Sequence, residues 1–269
     1  MRVEQVRLSR YTTLGVGGPA ELWTVETPAD LVEATSRPFR ILGNGSNLLI
    51  SDLGVPERVI RLAGEFSHFE LGGWVGGGAL LPSVVMAAVR AHLTGLEVLF
   101  GIPASIGGAV RMNAGTRYGE IAGSLAEVEL FYRGDFQRLK PQELGLSYRR
   151  SSFPPEAIVT RVRFNCPPED PELIDQRLKL VQAARAGQPK RKSAGCAFKN
   201  PPGDSAGRLI DQAGLKGLRS GQAMVSHEHG NFIINMGGAK ASEIAALILT
   251  LQEQLPLELE WEVWGELWG

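Results

Sequence analysis

Two glycine-rich loops constrain what this 269-residue chain can fold into more than any other feature of its sequence. The first reads Leu42-Gly43-Asn44-Gly45-Ser46-Asn47, and the second reads Gly101-Ile102-Pro103-Ala104-Ser105-Ile106-Gly107-Gly108 and continues to Asn113-Ala114-Gly115. Glycine lets the backbone reach positive φ and lets main-chain N–H groups approach an anion closely. Either loop alone would be an ordinary tight connection. Because each follows an apolar segment and neither carries a P-loop lysine, the pair predicts main-chain capture of a large phosphorylated cofactor.

Composition and charge argue against several classes of partner. The net charge of −1 is too close to neutral for a protein whose main partner is nucleic acid. The longest apolar stretches, residues 79–89 and 244–251, are too short to span a bilayer, and the first residues show no secretory signal. Cys166 and Cys196 form neither a disulfide framework nor a zinc signature. We therefore expect a cytoplasmic protein that binds neither nucleic acid nor a membrane. The sequence does not reveal the oligomeric state, for which a monomer is the expectation.

Hydrophobic periodicity and turn residues predict an α+β chain of three lobes. The first, residues 1–57, has strands at 20–26, 39–42 and 48–50 and a helix at 28–35 that Thr27 caps. The second, residues 58–166, has strands at 59–62, 68–71, 74–76, 127–132, 136–139 and 158–164 and a helix at 82–91. The third, residues 167–269, has a bridging helix at 171–186, helices at 205–213 and 242–254, and strands at 232–235 and 257–263.

Two further patterns are not interpreted as sites. Gly15-Val16-Gly17-Gly18-Pro19-Ala20 matches the dinucleotide pattern G-x-G-x-x-A, but the residues after Pro19 alternate like a strand instead of opening a helix. His227-Glu228-His229 offers two metal ligands without a suitable third nearby, so no metal site is expected.

Three other motifs each allow a structural and a functional interpretation. In Tyr148-Arg149-Arg150 the arginines are either solvated or one of them faces inward to bind a carboxylate. Cys196 either fills the core or, between small residues and near several lysines, presents an accessible thiol. Glu258, Glu260 and Glu262 either form the solvent-exposed face of a strand, which is the default interpretation, or include one residue that acts as an acid in a cleft.

Together and in order along the chain, the motifs resemble those of the UDP-N-acetylenolpyruvoylglucosamine reductases, flavoenzymes that complete UDP-N-acetylmuramate for bacterial peptidoglycan. Besides the two loops, the resemblance is carried by Tyr11-Thr12-Thr13, Gly17-Gly18-Pro19-Ala20, Gly95-Leu96-Glu97, Tyr148-Arg149, Gly195-Cys196-Ala197-Phe198-Lys199-Asn200-Pro201, Gly214-Leu215-Lys216-Gly217, His229-Gly230-Asn231-Phe232 and Leu257-Glu258-Leu259-Glu260. It covers nearly the whole chain. It implies two α+β lobes that hold FAD, of the vanillyl-alcohol-oxidase-like type, and a third lobe for the UDP-sugar. The chain resembles the shorter subtype, which lacks the insertion that covers the substrate.

The resemblance also implies the chemistry. NADPH reduces a tightly bound, non-covalent FAD, and hydride then passes to the enolpyruvyl group of UDP-N-acetylglucosamine enolpyruvate. Arg149 is expected to stabilise the developing negative charge, Glu260 to assist at the carboxylate, and Cys196 to donate the proton where most members carry serine. Since a thiol is more acidic than a hydroxyl, donation by Cys196 remains feasible.

The remaining site residues are expected from the same motifs. FAD contacts are expected from Gly43, Asn44, Gly45, Ser46, Asn47, Gly101, Ile102, Pro103, Ser105, Gly107, Gly108, Asn113, Ala114 and Gly115. Substrate contacts are expected from Tyr148, Gln188, Lys190, Lys199, Asn200 and Asn231.

Two rival functions stay open on sequence alone. One is an FAD oxidase of the same fold, many of which tether flavin through a histidine near the second loop. The histidines of this chain, His68, His92, His227 and His229, lie outside that loop, which argues against it. The other is a nucleotide-sugar-binding protein without activity, which the joint presence of Arg149, Cys196 and Glu260 disfavours.

Overall fold

The computed structural model describes residues 1–268 and has mixed helix and strand content, as the sequence predicts. The strands are β1 (Arg2–Arg7), β2 (Pro19–Val25), β3 (Phe39–Ile41), β4 (Leu48–Ile50), β5 (Arg58–Leu62), β6 (Val75–Gly76), β7 (Gly115–Thr116), β8 (Gly119–Glu120), β9 (Leu125–Tyr132), β10 (Asp135–Leu139), β11 (Ile158–Phe164), β12 (Arg219–Ser220), β13 (Ala223–Val225), β14 (Ile233–Asn235) and β15 (Glu262–Trp264). The α-helices are α1 (Pro28–Ala34), α2 (Leu81–Arg90), α3 (Ile106–Arg111), α4 (Pro171–Arg185), α5 (Ala206–Gln212) and α6 (Ala241–Gln254). None of the helices in this described part combines the length and the apolar character needed to cross a bilayer.

The chain forms two compact units that interleave along the sequence. Unit 1 comprises residues 1–4, 22–44 and 57–186, and unit 2 comprises residues 5–21, 45–56 and 187–269. Residues 5–21 and 45–56 belong to unit 2 because they are hydrogen-bonded within it. The N–H of Gly18 donates to the carbonyl of Ser51 at 2.7 Å, and β4 pairs in parallel with β15 near the end of the chain. This division differs from the predicted lobes 1–57, 58–166 and 167–269, which stay a prediction.

The first sheet of unit 1 has the strand order β1-β2-β5-β3 and belongs to this unit through residues 2–4 of β1 and 22–25 of β2. β2 and β3 both run parallel to β5. The predicted helix start is confirmed, because the Thr27 hydroxyl accepts from the N–H of Asp30 at 3.3 Å and the Asp30 carboxylate accepts from the N–H of Thr27 at 3.1 Å. Leu31 of α1 is buried with Trp23, Val25 and Ile60.

The second sheet of unit 1 has the order β10-β9-β11-β6 and is antiparallel. Arg133 and Gly134, with φ values of 52° and 89°, form the two-residue turn that joins the predicted strands at 127–132 and 136–139 into a hairpin. The core beneath the sheet contains side chains from α2, α3 and the strands, among them Leu81, Val85, Ile106, Val110, Val128 and Val162.

Unit 2 combines a small meander of order β12-β13-β14 with α6, and its core contains Ile244, Leu247, Ile248 and Leu251 of that helix. The predicted strand at 257–263 is wrong in its extent. Regular pairing is confined to β15, and the preceding residues make only an isolated bridge between Leu259 and Phe198.

Some elements were missed by the sequence prediction, and a second strand was overpredicted. α3 was missed because Gly107 and Gly108 are poor helix formers that resemble a loop. Strand β1 and the short strands β7, β8, β12 and β13 were missed as well. The predicted strand at 68–71 is reduced to a bridge between Phe69 and Val75.

Candidate active site

The first glycine loop connects β3 to β4, and the boundary between the units falls inside it, between Asn44 and Gly45. Gly45 has a φ of 63°, and a Cβ there would overlap the carbonyl oxygen of Tyr11, so only glycine fits. The five successive N–H groups of Gly43–Asn47 find no acceptor among the described residues 1–268. A loop of this kind can receive an anion through its main chain.

In unit 1 the two predicted loops lie against each other. The side-chain amide of Asn44 donates to the carbonyl of Pro103 at 2.7 Å. A Cβ on Gly43 would lie 2.5 Å from the hydroxyl oxygen of Ser105, so the second loop leaves no room for a side chain there. The sequence-based pairing of these loops into one site is therefore supported for their unit 1 residues.

The second loop uses its main chain differently from the first. The N–H of Ile106 donates to the carbonyl of Ala79 at 2.9 Å, and the N–H of Gly107 donates to that of Gly77 at 2.7 Å. The N–H of Gly108 donates to the Ser105 hydroxyl at 3.3 Å, which caps α3. These N–H groups are engaged inside the protein, so the glycines here serve close packing. Sequence reasoning, which treated both loops alike, could not distinguish the two uses.

Asn113 lies in the left-handed region with a φ of 42° and is 1% exposed. Its side-chain nitrogen donates to a carboxylate oxygen of Glu120 at 2.7 Å and to the carbonyl of Ser147 at 3.0 Å, and its side-chain oxygen accepts from the N–H of Ala122 at 3.3 Å. The amide is thus satisfied within the protein. This geometry favours a role for Asn113 in shaping the site over the direct cofactor contact expected from the sequence.

Arg149 faces inward, and its neighbour Arg150 is exposed, which favours the functional interpretation of the arginine pair. The Arg149 side chain is 16% exposed, and its backbone has a φ of 54°. Its guanidinium donates to the carbonyls of Gly115 at 2.7 Å and Asn113 at 3.4 Å and lies 3.7 Å from a carboxylate oxygen of Glu120. Backbone carbonyls and one carboxylate therefore hold this cation in place. Glu120 carries no signal in the sequence that would have identified it.

Tyr148 is exposed, and its ring lies under the Arg149 guanidinium, with 4.9 Å from the guanidinium carbon to the ring centroid. Both residues occupy the tip of a tight turn in which Ser147 and Arg150 exchange backbone hydrogen bonds of 3.0 Å. This turn presents the aromatic ring and the cation together.

Cys196 lies in unit 2 and follows Gly195, whose φ is 74°. It forms an isolated antiparallel bridge with Phe232 and packs against a small buried cluster of Met224, Phe232 and Ile234. It is half-buried. Cys166 belongs to unit 1, and burial raises the pKa of its thiol to about 11, which favours a structural role for it.

Asn231 holds the backbone that follows Cys196. Its side-chain oxygen accepts from the N–H of Phe198 at 2.9 Å, its side-chain nitrogen donates to the carbonyl of Phe198 at 2.7 Å, and its own carbonyl accepts from the N–H of Ala197 at 2.8 Å. The residue is 2% exposed. This double hydrogen bond favours a role in positioning Cys196 over the substrate contact expected for Asn231.

Glu260 is attached to the same stretch of backbone. Its N–H donates to the carbonyl of Ala197 at 2.8 Å, and its own carbonyl accepts from the side-chain amide of Asn47 at 3.2 Å. Asn47 in turn accepts, at its carbonyl, from the N–H of Glu262 at 3.0 Å. Within unit 2, the structure therefore brings Cys196, Glu260 and the end of the first glycine loop together.

The other predicted substrate residues are not gathered in this way. Lys199 forms an ion pair with Glu258 at 2.6 Å, and the side-chain oxygen of Asn200 accepts from the N–H of Ala206 at 3.1 Å at the start of α5. Gln188 is half-buried and Lys190 is exposed. Their contacts with substrate stay a prediction.

Two family models match this chain. Residues 19–134 match the FAD binding domain, and residues 188–264 match the UDP-N-acetylenolpyruvoylglucosamine reductase C-terminal domain. The chain is 64% identical over 264 residues to the UDP-N-acetylenolpyruvoylglucosamine reductase of Thermus thermophilus, covering 98% of this chain and 100% of that protein. It is 48% identical over 283 residues to the reductase of Deinococcus radiodurans, covering 100% and 98% respectively.

A solved structure is equally similar. The crystal structure of UDP-N-acetylenolpyruvylglucosamine reductase from Thermus caldophilus superposes with a TM-score of 0.97 at 64% sequence identity, covering 98% of this chain and 100% of that one. The predicted α+β FAD-binding fold with a C-terminal substrate-binding part is thereby confirmed.

Proposed function

Because this chain belongs to the UDP-N-acetylenolpyruvoylglucosamine reductase family, we propose that Arg149, Cys196 and Glu260 provide the charge stabilisation and the proton of its reaction. The enzyme reduces UDP-N-acetylglucosamine enolpyruvate to UDP-N-acetylmuramate with NADPH through FAD, a step of peptidoglycan precursor synthesis. The predictions of family, reaction and cofactor made from the sequence are confirmed. The roles of individual residues are our proposal.

The first glycine loop fits a bound FAD. The free N–H groups of Gly43–Asn47 can donate to a pyrophosphate. Ser105 lies so close to Gly43 that a side chain at position 43 would not fit. Gly101, Ile102, Pro103, Gly107, Gly108, Ala114 and Gly115 would line the same cofactor. When bound, FAD supplies a two-electron carrier between NADPH and the enolpyruvyl double bond.

Arg149 binds and stabilises the negative charge that develops on the enolpyruvyl carboxylate as hydride reaches C3. Its guanidinium is already oriented by the carbonyls of Asn113 and Gly115, so little reorganisation is needed during the reaction. Such preorganised stabilisation is commonly worth roughly 3 kcal/mol.

Cys196 donates the proton that C2 requires, from Sγ–H, and regains a proton from solvent. Glu260 orients the carboxylate of the substrate next to it. The observation that carries this assignment is the backbone pairing in unit 2, where Ala197, the neighbour of Cys196, accepts from the N–H of Glu260 at 2.8 Å. Side chains on such adjacent segments can act on neighbouring atoms of one small group.

The chain offers a matched pair of arginines for the experiment. Flavin absorbance is followed first as NADPH reduces the enzyme without oxygen, and again as the enolpyruvyl substrate reoxidises it. For Arg149→Lys we expect normal reduction and reoxidation slowed on the order of a hundredfold, because the ammonium of lysine lacks the planar fork of N–H groups with which the guanidinium reaches the carbonyls of Asn113 and Gly115. Arg150→Lys, which changes the exposed neighbour, is expected to behave as wild type. Equal reoxidation rates in the two variants would contradict the role of Arg149.

We also propose that the enzyme works as a monomer in the cytoplasm and serves cell shape and division through the cell wall. The near-neutral net charge of −1 favours small-molecule partners over nucleic acid. Light scattering of the purified protein at several concentrations tests the monomer, and a mass of twice 29.1 kDa would contradict it.

A further inference from the structure

Arg111, the last residue of α3, binds four backbone carbonyl groups of one segment. One terminal nitrogen donates to the carbonyls of Phe153 and Pro154, both at 3.0 Å, and the other to those of Pro155 at 3.1 Å and Ala157 at 2.5 Å. The guanidinium carbon also lies 4.0 Å from the centroid of the Phe153 ring. The Arg111 side chain thus holds residues 153–157 through four hydrogen bonds.

This segment depends on such a donor. Pro154 and Pro155 have no N–H and fix their own φ, so the backbone here cannot join a sheet in the ordinary way. The chain from Ser151 to Ala157 contains no helix or strand. Carbonyl groups in an irregular segment need donors from elsewhere, and a guanidinium with its planar set of N–H groups can serve several at once.

A second bond runs in the opposite direction. The hydroxyl of Ser151 donates to the carbonyl of Arg111 at 2.7 Å. On the other side of the turn, Ser147 is held through its carbonyl by the side-chain amide of Asn113 at 3.0 Å. Arg149 lies between these two attachment points, and its guanidinium reaches back to the carbonyl of Asn113.

The backbone of Arg149 needs this support. Its φ of 54° is a left-handed conformation that a non-glycine residue adopts at a cost, and such residues persist when the surrounding structure holds them. Asn113, which accepts from Arg149, has a φ of 42° and is itself only two residues from Arg111. The segment after α3 and the turn around Arg149 are therefore joined at both ends.

We propose that Arg111 is a positioning residue for the reduction: by holding residues 151–157 against α3, it fixes the turn that aims the Arg149 guanidinium at the substrate carboxylate. The proposal rests on the proposed role of Arg149. Arg111 touches neither substrate nor cofactor in it. A purely structural clamp would affect folding and both halves of the reaction alike, whereas a positioning residue affects the half in which the enolpyruvyl carboxylate is bound.

The experiment compares Arg111→Lys with Arg90→Lys, since Arg90 is an exposed arginine at the end of α2, as Arg111 is at the end of α3. Both half-reactions are measured by flavin absorbance, and thermal unfolding and FAD binding are recorded for each protein. For Arg111→Lys we expect reoxidation by substrate to slow on the order of tenfold to a hundredfold, with flavin reduction by NADPH within about twofold of wild type. Arg90→Lys is expected to change neither half-reaction.

Two further variants keep the test decisive if Arg111→Lys binds FAD poorly. Ser151→Ala removes only the returning bond and is expected to show the same selective slowing in smaller measure. In the Arg149→Lys background, Arg111→Lys is expected to slow reoxidation much less than it does alone, because the group that it positions is gone.

The outcomes distinguish the positioning role of Arg111 from the proposed role of Arg149. If Arg149→Lys slows reoxidation while Arg111→Lys and Ser151→Ala either leave it unchanged or slow both half-reactions equally, the positioning role of Arg111 is overturned. If Arg149→Lys itself leaves reoxidation unchanged, the proposed role of Arg149 fails, whatever Arg111 does.

Discussion

At the scale of single residues, the site is built by side chains that bond to backbone. Arg149 is held by carbonyls and Glu120, and Asn231 forms a double hydrogen bond with Phe198. The sequence identified Arg149 through its motif but assigned Asn113 and Asn231 to ligand contact. The sequence cannot distinguish an asparagine that binds a ligand from one that binds buried backbone, because both are the same residue with similar neighbours in the chain.

Asn231→Asp separates these roles at nearly constant volume. A carboxylate can still accept from the N–H of Phe198 but cannot donate to its carbonyl, so two acceptors would face each other in a buried position. We expect the free energy of unfolding to fall by about 1–3 kcal/mol. We also expect the reoxidation half-reaction to slow because Cys196 is displaced. Chemical denaturation and stopped-flow reoxidation measure the two effects. Unchanged stability with a raised KM for substrate alone would instead indicate direct contact.

At the scale of elements, periodicity and capping predicted most helices and strands, and tertiary constraints explain the exceptions. Thr27-Pro28 and Asp170-Pro171 mark true helix starts, and β11 has the bounds 158–164 that alternation predicted. α3 was missed because Gly107 and Gly108 have low helix propensity. The N–H of Gly107 donates to the carbonyl of Gly77. Residues 257–261 alternate like a strand, yet their strand pairing is limited to an isolated bridge between Leu259 and Phe198.

Helix α4 attaches to the second glycine loop through Arg185. The Arg185 guanidinium donates to the carbonyl of Gly101 at 2.8 Å, and a Cβ on Gly101 would lie 2.7 Å from Nε of Arg185. Because this bond involves a charged donor, we expect Arg185→Ala to weaken FAD binding to the apoprotein by roughly 1.5–3 kcal/mol, about ten- to a hundredfold in Kd. Fluorescence titration with FAD measures this. Lys179→Ala, on an exposed part of the same helix, is the control. Equal Kd values in the two variants would show that α4 does not support the loop.

At the scale of the whole molecule, the chain passes between the two units five times, after residues 4, 21, 44, 56 and 186. Arg149 belongs to unit 1, and Cys196 and Glu260 belong to unit 2. Local patterns predicted the family, the α+β class and the cofactor, because collinear motifs carry that information. They could not predict the interleaving, since the pairing of β4 with β15 joins residues about two hundred positions apart in the chain.

The reoxidation half-reaction of Cys196→Ala shows whether this thiol supplies the proton to the substrate. Cys166→Ala is the matched control, since this thiol packs against the hydrophobic core of unit 1 and has no role in the proposed reaction. We expect NADPH to reduce the flavin of both variants normally, and the enolpyruvyl substrate to reoxidise only Cys166→Ala at the wild-type rate. Loss of the proton donor is expected to slow Cys196→Ala by about 10²- to 10⁴-fold, while Cys196→Ser keeps most of the rate. Reoxidation of Cys196→Ala at the wild-type rate, or a defect in its reduction by NADPH alone, would contradict the account.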